Sequence, residues 1–115
     1  MSALILSGKT VAAAVRADVA DRVALLRDRG RSVGLATVLV GDDPGSQVYV
    51  RNKHRAAEAA GIESTDRRLP PTASQAEVEA VIADLNADRR VSGMIVQLPL
   101  PDGLDGAKAV ETVDP

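Results

Sequence analysis

Two almost continuous apolar runs of eight residues constrain the fold most strongly. They cover residues 33–40 (VGLATVLV) and residues 91–98 (VSGMIVQL). Runs of this kind are typical of strands that are covered on both faces of a sheet. Helix-patterned segments lie between them, so strands alternate with helices along the chain. This alternation predicts an α/β domain: a small, doubly wound, mostly parallel sheet in three layers, with helices on both faces.

The first two helices can be placed from their ends. One is expected after Ser7, a common N-cap residue, and before Gly30. Its apolar residues recur every three or four positions: Val11, Val15, Val19, Val23 and Leu26. The next begins with Asp43 as N-cap and Pro44 at the first helical position, and it is predicted to run to about residue 60.

The second half of the chain continues the alternation. Residues 62–69 are more polar than the two apolar runs, which indicates a strand at the edge of the sheet. Ser74 and Glu77 have capping-box spacing ahead of the clearest helical periodicity in the chain. Pro99 and Pro101 end the last apolar run, and a short helix is expected around residues 105–113.

Composition excludes several classes of function. The 115 residues suit one domain, and the net charge of −2 argues against non-specific nucleic-acid binding. Tyr49 is the only aromatic residue, too few for a base-stacking surface. The apolar run at residues 3–6 is too short for a membrane span or signal peptide, so we expect a cytoplasmic protein with no membrane partner. The absence of cysteine excludes thiolate metal sites.

A P-loop-like sequence and a single histidine are two features that do not amount to functional sites. Ser7-Gly8-Lys9-Thr10 matches the end of a phosphate-binding P-loop, but Ala3 occupies the position of its first glycine, so a helix start is the better interpretation. The chain contains no G-x-G-x-x-G dinucleotide motif. His54 is the only histidine, and on a charged helix we expect it to be exposed to solvent. No metal site is therefore predicted.

The segment between residues 41 and 53 is the first candidate site. It follows the most apolar strand, and ligands of open α/β sheets bind beyond the carboxyl ends of the strands. Ser46, Tyr49 and Lys53 stand at i, i+3 and i+7 of the predicted helix, so they share a face. A solvated helix face with a half-buried tyrosine would give the same spacing.

The second apolar run ends at the same edge, in Gln97-Leu98-Pro99-Leu100-Pro101. Gln97 interrupts an apolar sequence, and a buried amide without partners costs about 1–3 kcal/mol. Gln97 could simply hold the proline loop rigid. Alternatively it faces the helix that carries Tyr49 and Lys53, and the two segments then form one site.

These two segments resemble the signatures of the methylenetetrahydrofolate dehydrogenase/cyclohydrolase family. Residues 41–53 read G-D-D-P-G-S-x-x-Y-V-x-x-K, and residues 93–101 read G-x-x-V-Q-L-P-L-P. Smaller agreements at Gly8-Lys9, Gly61-Ile62 and Leu85-Asn86 extend the resemblance over the whole chain. The family oxidises 5,10-methylenetetrahydrofolate with NADP⁺ and hydrolyses the methenyl product to 10-formyltetrahydrofolate.

The resemblance also implies roles for residues. Lys53 would be the catalytic residue of the folate site, with Tyr49 against the aminobenzoyl ring of the folate. Gln97 and Ser46 would hydrogen-bond around the lysine. The loop of Leu98, Pro99, Leu100 and Pro101 would line the pocket. Water attack on the methenyl carbon needs a proton acceptor, and a lysine can serve only when its surroundings favour the neutral amine.

The resemblance further implies what the chain lacks. Residues 1–115 would be the N-terminal, folate-binding catalytic domain, and the NADP-binding Rossmann domain would be absent. Two later segments of family members usually pack on this domain, and the complete enzyme would be a homodimer without a metal cofactor. A folate-binding module without turnover, or a truncated copy that serves as an interaction domain, remains an alternative. A further alternative is the N-terminal domain of another two-domain α/β dehydrogenase. The combination of Tyr49, Lys53 and Gln97 argues against it.

Overall fold

A computed structural model describes residues 7–115, so the predicted apolar run at residues 3–6 lies outside the described residues. Four helices alternate with three strands along the chain. In order they are α1 (Gly8–Asp28), β1 (Gly34–Val40), α2 (Pro44–Ala59), β2 (Glu63–Leu69), α3 (Gln75–Ala87), β3 (Gly93–Val96) and α4 (Gly106–Thr112). The strand–helix alternation predicted from the sequence is confirmed.

The three strands form one parallel sheet in the order β2-β1-β3. β1 is therefore central, and the polar strand β2 lies at an edge, as its composition predicted. Thr37 on β1 lies opposite Asp66 on β2, and Val38 lies opposite Val96 on β3. The carboxyl ends of all three strands point to one edge of the sheet.

Helices cover both faces of this sheet, which confirms the three-layer prediction. Successive residues of a strand point to opposite faces. Ala36, Val38 and Val40 on β1 form a buried core with residues of α3 and α4. The alternate residues, including the fully buried Thr37 and Leu39, face α2, which packs on β1 and β2.

The predicted helix caps are present. The backbone N–H groups of Thr10, Ser46 and Glu77 donate to the side chains of Ser7, Asp43 and Ser74 at 3.4, 2.8 and 3.1 Å. Gly30 and Gly61 follow α1 and α2 with φ of 75° and 82°, a region that favours glycine. Ser7 and Lys9 thus open a helix, consistent with the sequence interpretation.

One burial prediction was wrong. β3 was expected to be covered on both faces, but Gly93 is exposed, Met94 and Ile95 are half-buried, and Val96 alone is buried. Within residues 7–115 β3 pairs only with β1, so it is an edge strand. Helix α1 is amphipathic as predicted, and the described residues bury only Val23 of its apolar stripe.

Among the described residues, no helix is long and apolar enough to cross a membrane.

Candidate functional site

The candidate site lies at the carboxyl edge of the sheet, where β1 and β3 end close together. The chain leaves β1 through Gly41 and enters α2 at Pro44. Gly41 has φ of 93°, and a Cβ atom added there would lie 3.3 Å from Cγ of Pro101. A glycine is therefore needed if the turn between β1 and α2 is to approach the proline loop that follows β3.

Lys53 and Gln97 meet in the structure. Lys53 lies more than two turns into α2, and its Nζ donates a hydrogen bond of 2.7 Å to Oε1 of Gln97. Lys53 is half-buried and Gln97 is 8% exposed. The contact joins residues 44 positions apart, and it places Gln97 against the helix that carries Lys53, as the sequence hypothesis required.

The remaining polar groups of Gln97 fix its orientation. Its backbone N–H donates to Val38 O at 2.9 Å, and its Nε2 donates to Leu98 O at 3.1 Å. A lysine amine that is charged offers only donors, so the amide oxygen must face it. Gln97 thus links three elements: the central strand, the proline loop and α2.

No salt bridge within residues 7–115 involves Lys53 at 4.0 Å or less. Its described polar partner is a neutral amide oxygen. A neighbouring carboxylate would favour the charged lysine, whereas an amide oxygen can accept an N–H from either form.

Ser46 and Tyr49 share the helix with Lys53 but differ in exposure. Ser46 is 3% exposed, and its backbone N–H belongs to the Asp43 cap. Its predicted part in the network around Lys53 stays a prediction. Tyr49 is 62% exposed, more open than the half-buried ring of the alternative in which this face has no site.

The proline loop borders an open cleft of about 480 Å³. Pro99, Leu100 and Pro101 line one side of it, and the residues of the β1–α2 turn line the other. The Leu98–Pro99 peptide bond is cis, and Leu98 is 46% exposed. Lys53 and Gln97 lie outside the lining of this cleft, so the loop residues connect the cleft to the Lys53–Gln97 pair.

His54 was expected to be exposed, and this prediction was wrong. The side chain is half-buried, with Nε2 lying 2.7 Å from Oγ1 of Thr37. Thr37 is fully buried on β1 and had not been identified from the sequence as a site residue. No sequence pattern predicts this contact, because a threonine in an apolar strand and a histidine on the next helix meet only when the helix packs on the strand.

Among residues 7–115, no group of three histidine, cysteine, aspartate or glutamate side chains is arranged to hold a metal ion.

Comparison with known proteins extends these observations. The family model described as the catalytic domain of tetrahydrofolate dehydrogenase/cyclohydrolase matches residues 6–115. The bifunctional protein FolD of Acidiphilium cryptum is 56% identical over 115 residues, which is 100% of this chain and 40% of that protein. The chain therefore spans about two fifths of the length of this relative.

Solved structures agree with the sequence comparison. The bifunctional FolD methylenetetrahydrofolate dehydrogenase/cyclohydrolase of Campylobacter jejuni superposes with a TM-score of 0.91 at 37% identity, over 93% of this chain and 38% of that one. The Trypanosoma brucei N5,N10-methylenetetrahydrofolate dehydrogenase-cyclohydrolase, solved with NADP cofactor and an inhibitor, gives 0.91 at 36% identity. That match covers 100% of this chain and 40% of the trypanosome protein.

Proposed function

This chain belongs to the tetrahydrofolate dehydrogenase/cyclohydrolase family, and we propose that it forms the folate-binding part of such an enzyme. The complete enzyme would oxidise 5,10-methylenetetrahydrofolate with NADP⁺ and hydrolyse the methenyl product to 10-formyltetrahydrofolate. Residues 1–115 would be its N-terminal catalytic domain. The hydrogen bond of 2.7 Å between Lys53 Nζ and Gln97 Oε1, at the ligand-binding edge of the sheet, supports this proposal most directly.

The hydrolytic step needs a group that accepts a proton. The methenyl carbon carries a positive charge shared with two nitrogens, and water attacks it to form a C–O bond. Neutral Lys53 takes a proton from that water and can return one to the nitrogen as the C–N bond breaks. The remaining hydroxyl proton leaves to solvent as the formyl C=O bond forms, so the step releases one proton overall. Such general acid–base catalysis contributes about 100-fold to 10,000-fold.

Gln97 has a positioning role in this proposal. Its amide oxygen accepts one N–H of Lys53 and so sets the orientation of the amine. The lone pair of the neutral Lys53 amine then points away from Gln97. The amide is itself held by Leu98 O and by the pairing of its backbone with β1. A lysine fixed in this way loses little rotamer freedom when substrate arrives.

The remaining site residues would hold the folate. The exposed ring of Tyr49 offers a flat face against which an aminobenzoyl ring can stack. Leu98, Pro99, Leu100 and Pro101 would form the apolar wall of the pocket. Ser46 would complete the polar network from within α2.

The described residues do not fit NADP. A dinucleotide would place its pyrophosphate at a glycine-rich turn after a strand, against the N-terminus of a helix. At the turn after β1 that position is taken by the Asp43 carboxylate, which accepts the Ser46 N–H at 2.8 Å, with Asp42 beside it. Two carboxylates would repel a pyrophosphate, so no step of hydride transfer is assigned to residues of this chain. The cofactor would belong to the remainder of the full-length protein.

Homodimerisation of the complete enzyme and a cytoplasmic location belong to the same proposal, and the family resemblance supports them.

Substitution of Lys53 in the full-length protein tests the catalytic assignment. Lys53→Met preserves length without the amine, and Lys53→Arg keeps a charge that cannot be lost at working pH. Both should lower the cyclohydrolase kcat by about 100-fold or more, because neither side chain can accept a proton. Arg51→Met, an exposed change on the same helix, is the matched control. Turnover within a few-fold of wild type in both Lys53 variants would overturn the assignment.

Folate binding can be tested separately on the 115-residue chain. Tyr49 is the only tyrosine, so its ring signals in an NMR spectrum are readily assigned. Titration with a stable folate analogue should shift these signals saturably, and Gln97→Ala should weaken the effect. Binding of the analogue by this chain, together with no dehydrogenase or cyclohydrolase turnover by the wild-type full-length protein, would favour a binding module over the enzyme domain.

A further inference from the structure

α2 carries two neighbouring side chains that reach different parts of the sheet. Lys53 extends to Gln97 beyond β3, and His54 lies against Thr37 in the middle of β1. Adjacent residues of an α-helix point about 100° apart around the helix axis. The two contacts therefore hold the helix from two directions, one at the candidate site and one beneath it.

The contact beneath the site is buried on the side of the sheet. Thr37 has no exposed surface, and its hydroxyl lies 2.7 Å from His54 Nε2 and 3.5 Å from Asp66 Oδ1 on β2. Asp66 is held in turn by Arg68 Nε at 2.7 Å. A buried hydroxyl that loses a hydrogen-bond partner is destabilising, so this contact resists being broken.

The other inward residues of α2 give little directional control. Ser46, Val50 and Ala57 are the residues of α2 that are buried, and they are small or aliphatic. Apolar packing is non-directional, so it allows a helix to turn slightly about its axis. Among the side-chain hydrogen bonds of residues 7–115, the His54–Thr37 contact is the one that joins α2 to β1.

We propose that His54 is a positioning residue for Lys53. Its hydrogen bond to Thr37 fixes the rotation of α2 about its axis, and thereby keeps Lys53 Nζ at hydrogen-bonding distance from Gln97. This inference rests on the catalytic role proposed for Lys53. A displacement of about 1 Å at a catalytic group can lower a rate by as much as 100-fold, so a contact that prevents it has a measurable effect on turnover.

Three variants of the full-length protein isolate the hydrogen bond. His54→Leu keeps a side chain of similar bulk without polar atoms, and Thr37→Val removes the hydroxyl at nearly constant shape. Each should lower the cyclohydrolase kcat by about tenfold while KM stays within about twofold, the pattern expected when a transition-state interaction is disturbed. His54→Gln, whose amide nitrogen can reach the position of Nε2, should restore most of the rate. Arg55→Leu, an exposed change next to His54, should have no effect.

A double-mutant cycle separates positioning from general stability. If His54 acts through Lys53, adding His54→Leu to Lys53→Met should leave the residual rate unchanged, since the group being positioned is gone. An equal further loss in that background would overturn the proposal. Rates are compared at a temperature where thermal unfolding shows every variant to be folded; should His54→Leu not fold, Thr37→Val carries the same comparison.

The two proposals fail in different ways. Wild-type kinetics in both His54→Leu and Thr37→Val, together with an inactive Lys53→Met enzyme, would overturn the role of His54 alone. Normal turnover of Lys53→Met would overturn the function proposed for the site, and the positioning role with it.

Discussion

The amide of Gln97 is the most constrained polar group at the site. One oxygen accepts from Lys53, the nitrogen donates to Leu98 O, and the backbone is paired with β1. Because the residue is only 8% exposed, water cannot replace these partners easily. Glutamine suits this position since it accepts from an amine without bringing a charge of its own.

Two substitutions of Gln97 separate the effect of adding a charge from the effect of removing the hydrogen-bond acceptor. Gln97→Glu would set a carboxylate 2.7 Å from the amine, favour charged Lys53 and lower the cyclohydrolase kcat by about 100-fold. Gln97→Met would lower it less, because Lys53 loses its partner but gains no counter-charge. Steady-state kinetics of both variants in the full-length protein make the comparison. Equal rates for Gln97→Glu and wild type would show that the neutral acceptor is unimportant.

At the residue level, the sequence pointed to the one contact between candidate residues that the structure shows, between Lys53 and Gln97. Tyr49, Lys53 and Gln97 stood out because each is an unusual residue type in its local pattern, and the family resemblance linked them. The meeting of Lys53 with Gln97 was expected on these grounds. The His54–Thr37 contact was not, because it depends on the angle at which α2 crosses β1, and no local pattern encodes that angle.

At the scale of elements, boundaries were predictable wherever a specific residue type is required. Ser7, Asp43 and Ser74 start helices through the caps that were expected of them. The burial of β3 was misjudged because an apolar run reports the composition of a strand and not the number of its neighbours. Its position beside β1 alone, within the described residues, is a property of the sheet order.

Strand β1 begins at a glycine that packing requires. A Cβ atom on Gly34 would lie 1.9 Å from the backbone carbonyl oxygen of Arg90, which cannot move without displacing the turn before β3. Gly34→Ala should therefore lower the free energy of unfolding by about 3 kcal/mol or more. Gly93 is the matched control, because it lies on a neighbouring strand and has no heavy atom within 4 Å of the same added atom. Chemical denaturation of both variants tests this; equal midpoints would contradict the predicted clash.

The turn between α3 and β3 contains an ion pair whose strength depends on pH. The carboxylate of Asp88 accepts from the guanidinium and from the backbone N–H of Arg90, and these hydrogen bonds, chiefly those of the guanidinium, lower the pKa of Asp88 below its ordinary value. A lowered folded-state pKa stabilises the fold above the unfolded-state pKa, and this stabilisation is lost as pH falls through the folded-state value.

The thermal midpoint of Asp88→Asn should therefore lie below that of wild type at pH 7. The gap should close as the pH falls below about 4, the ordinary range of an aspartate. If the difference in thermal midpoint persists in acid, the ion pair with Arg90 is not what stabilises this turn. Asp18→Asn, which affects an exposed pair with Arg22 within α1, is the comparison variant.

For the whole molecule, the apolar face of α1 is the surface that the described residues leave largely uncovered. Val23 is 5% exposed and lies near Gly61, whereas Val11 and Val15 are 55% and 56% exposed. The sequence predicted an amphipathic helix correctly, but an apolar stripe does not specify its partner. The chain also spans only about two fifths of its relative's length, and the family resemblance implies that later segments pack on this domain.

Alanine substitutions along α1 should therefore behave differently in the two forms of the protein. In the 115-residue chain, Val23→Ala should lower the free energy of unfolding by about 1.5 kcal/mol, because it removes two buried methyl groups. Val15→Ala should raise it by a few tenths of a kcal/mol, since alanine favours an exposed helix more than valine does. If the remainder of the full-length protein covers α1, Val15→Ala becomes destabilising there by about as much as Val23→Ala. Denaturant unfolding of both variants in both forms decides the matter, and a Val15→Ala effect that keeps its sign would mean that this face of α1 stays in solvent.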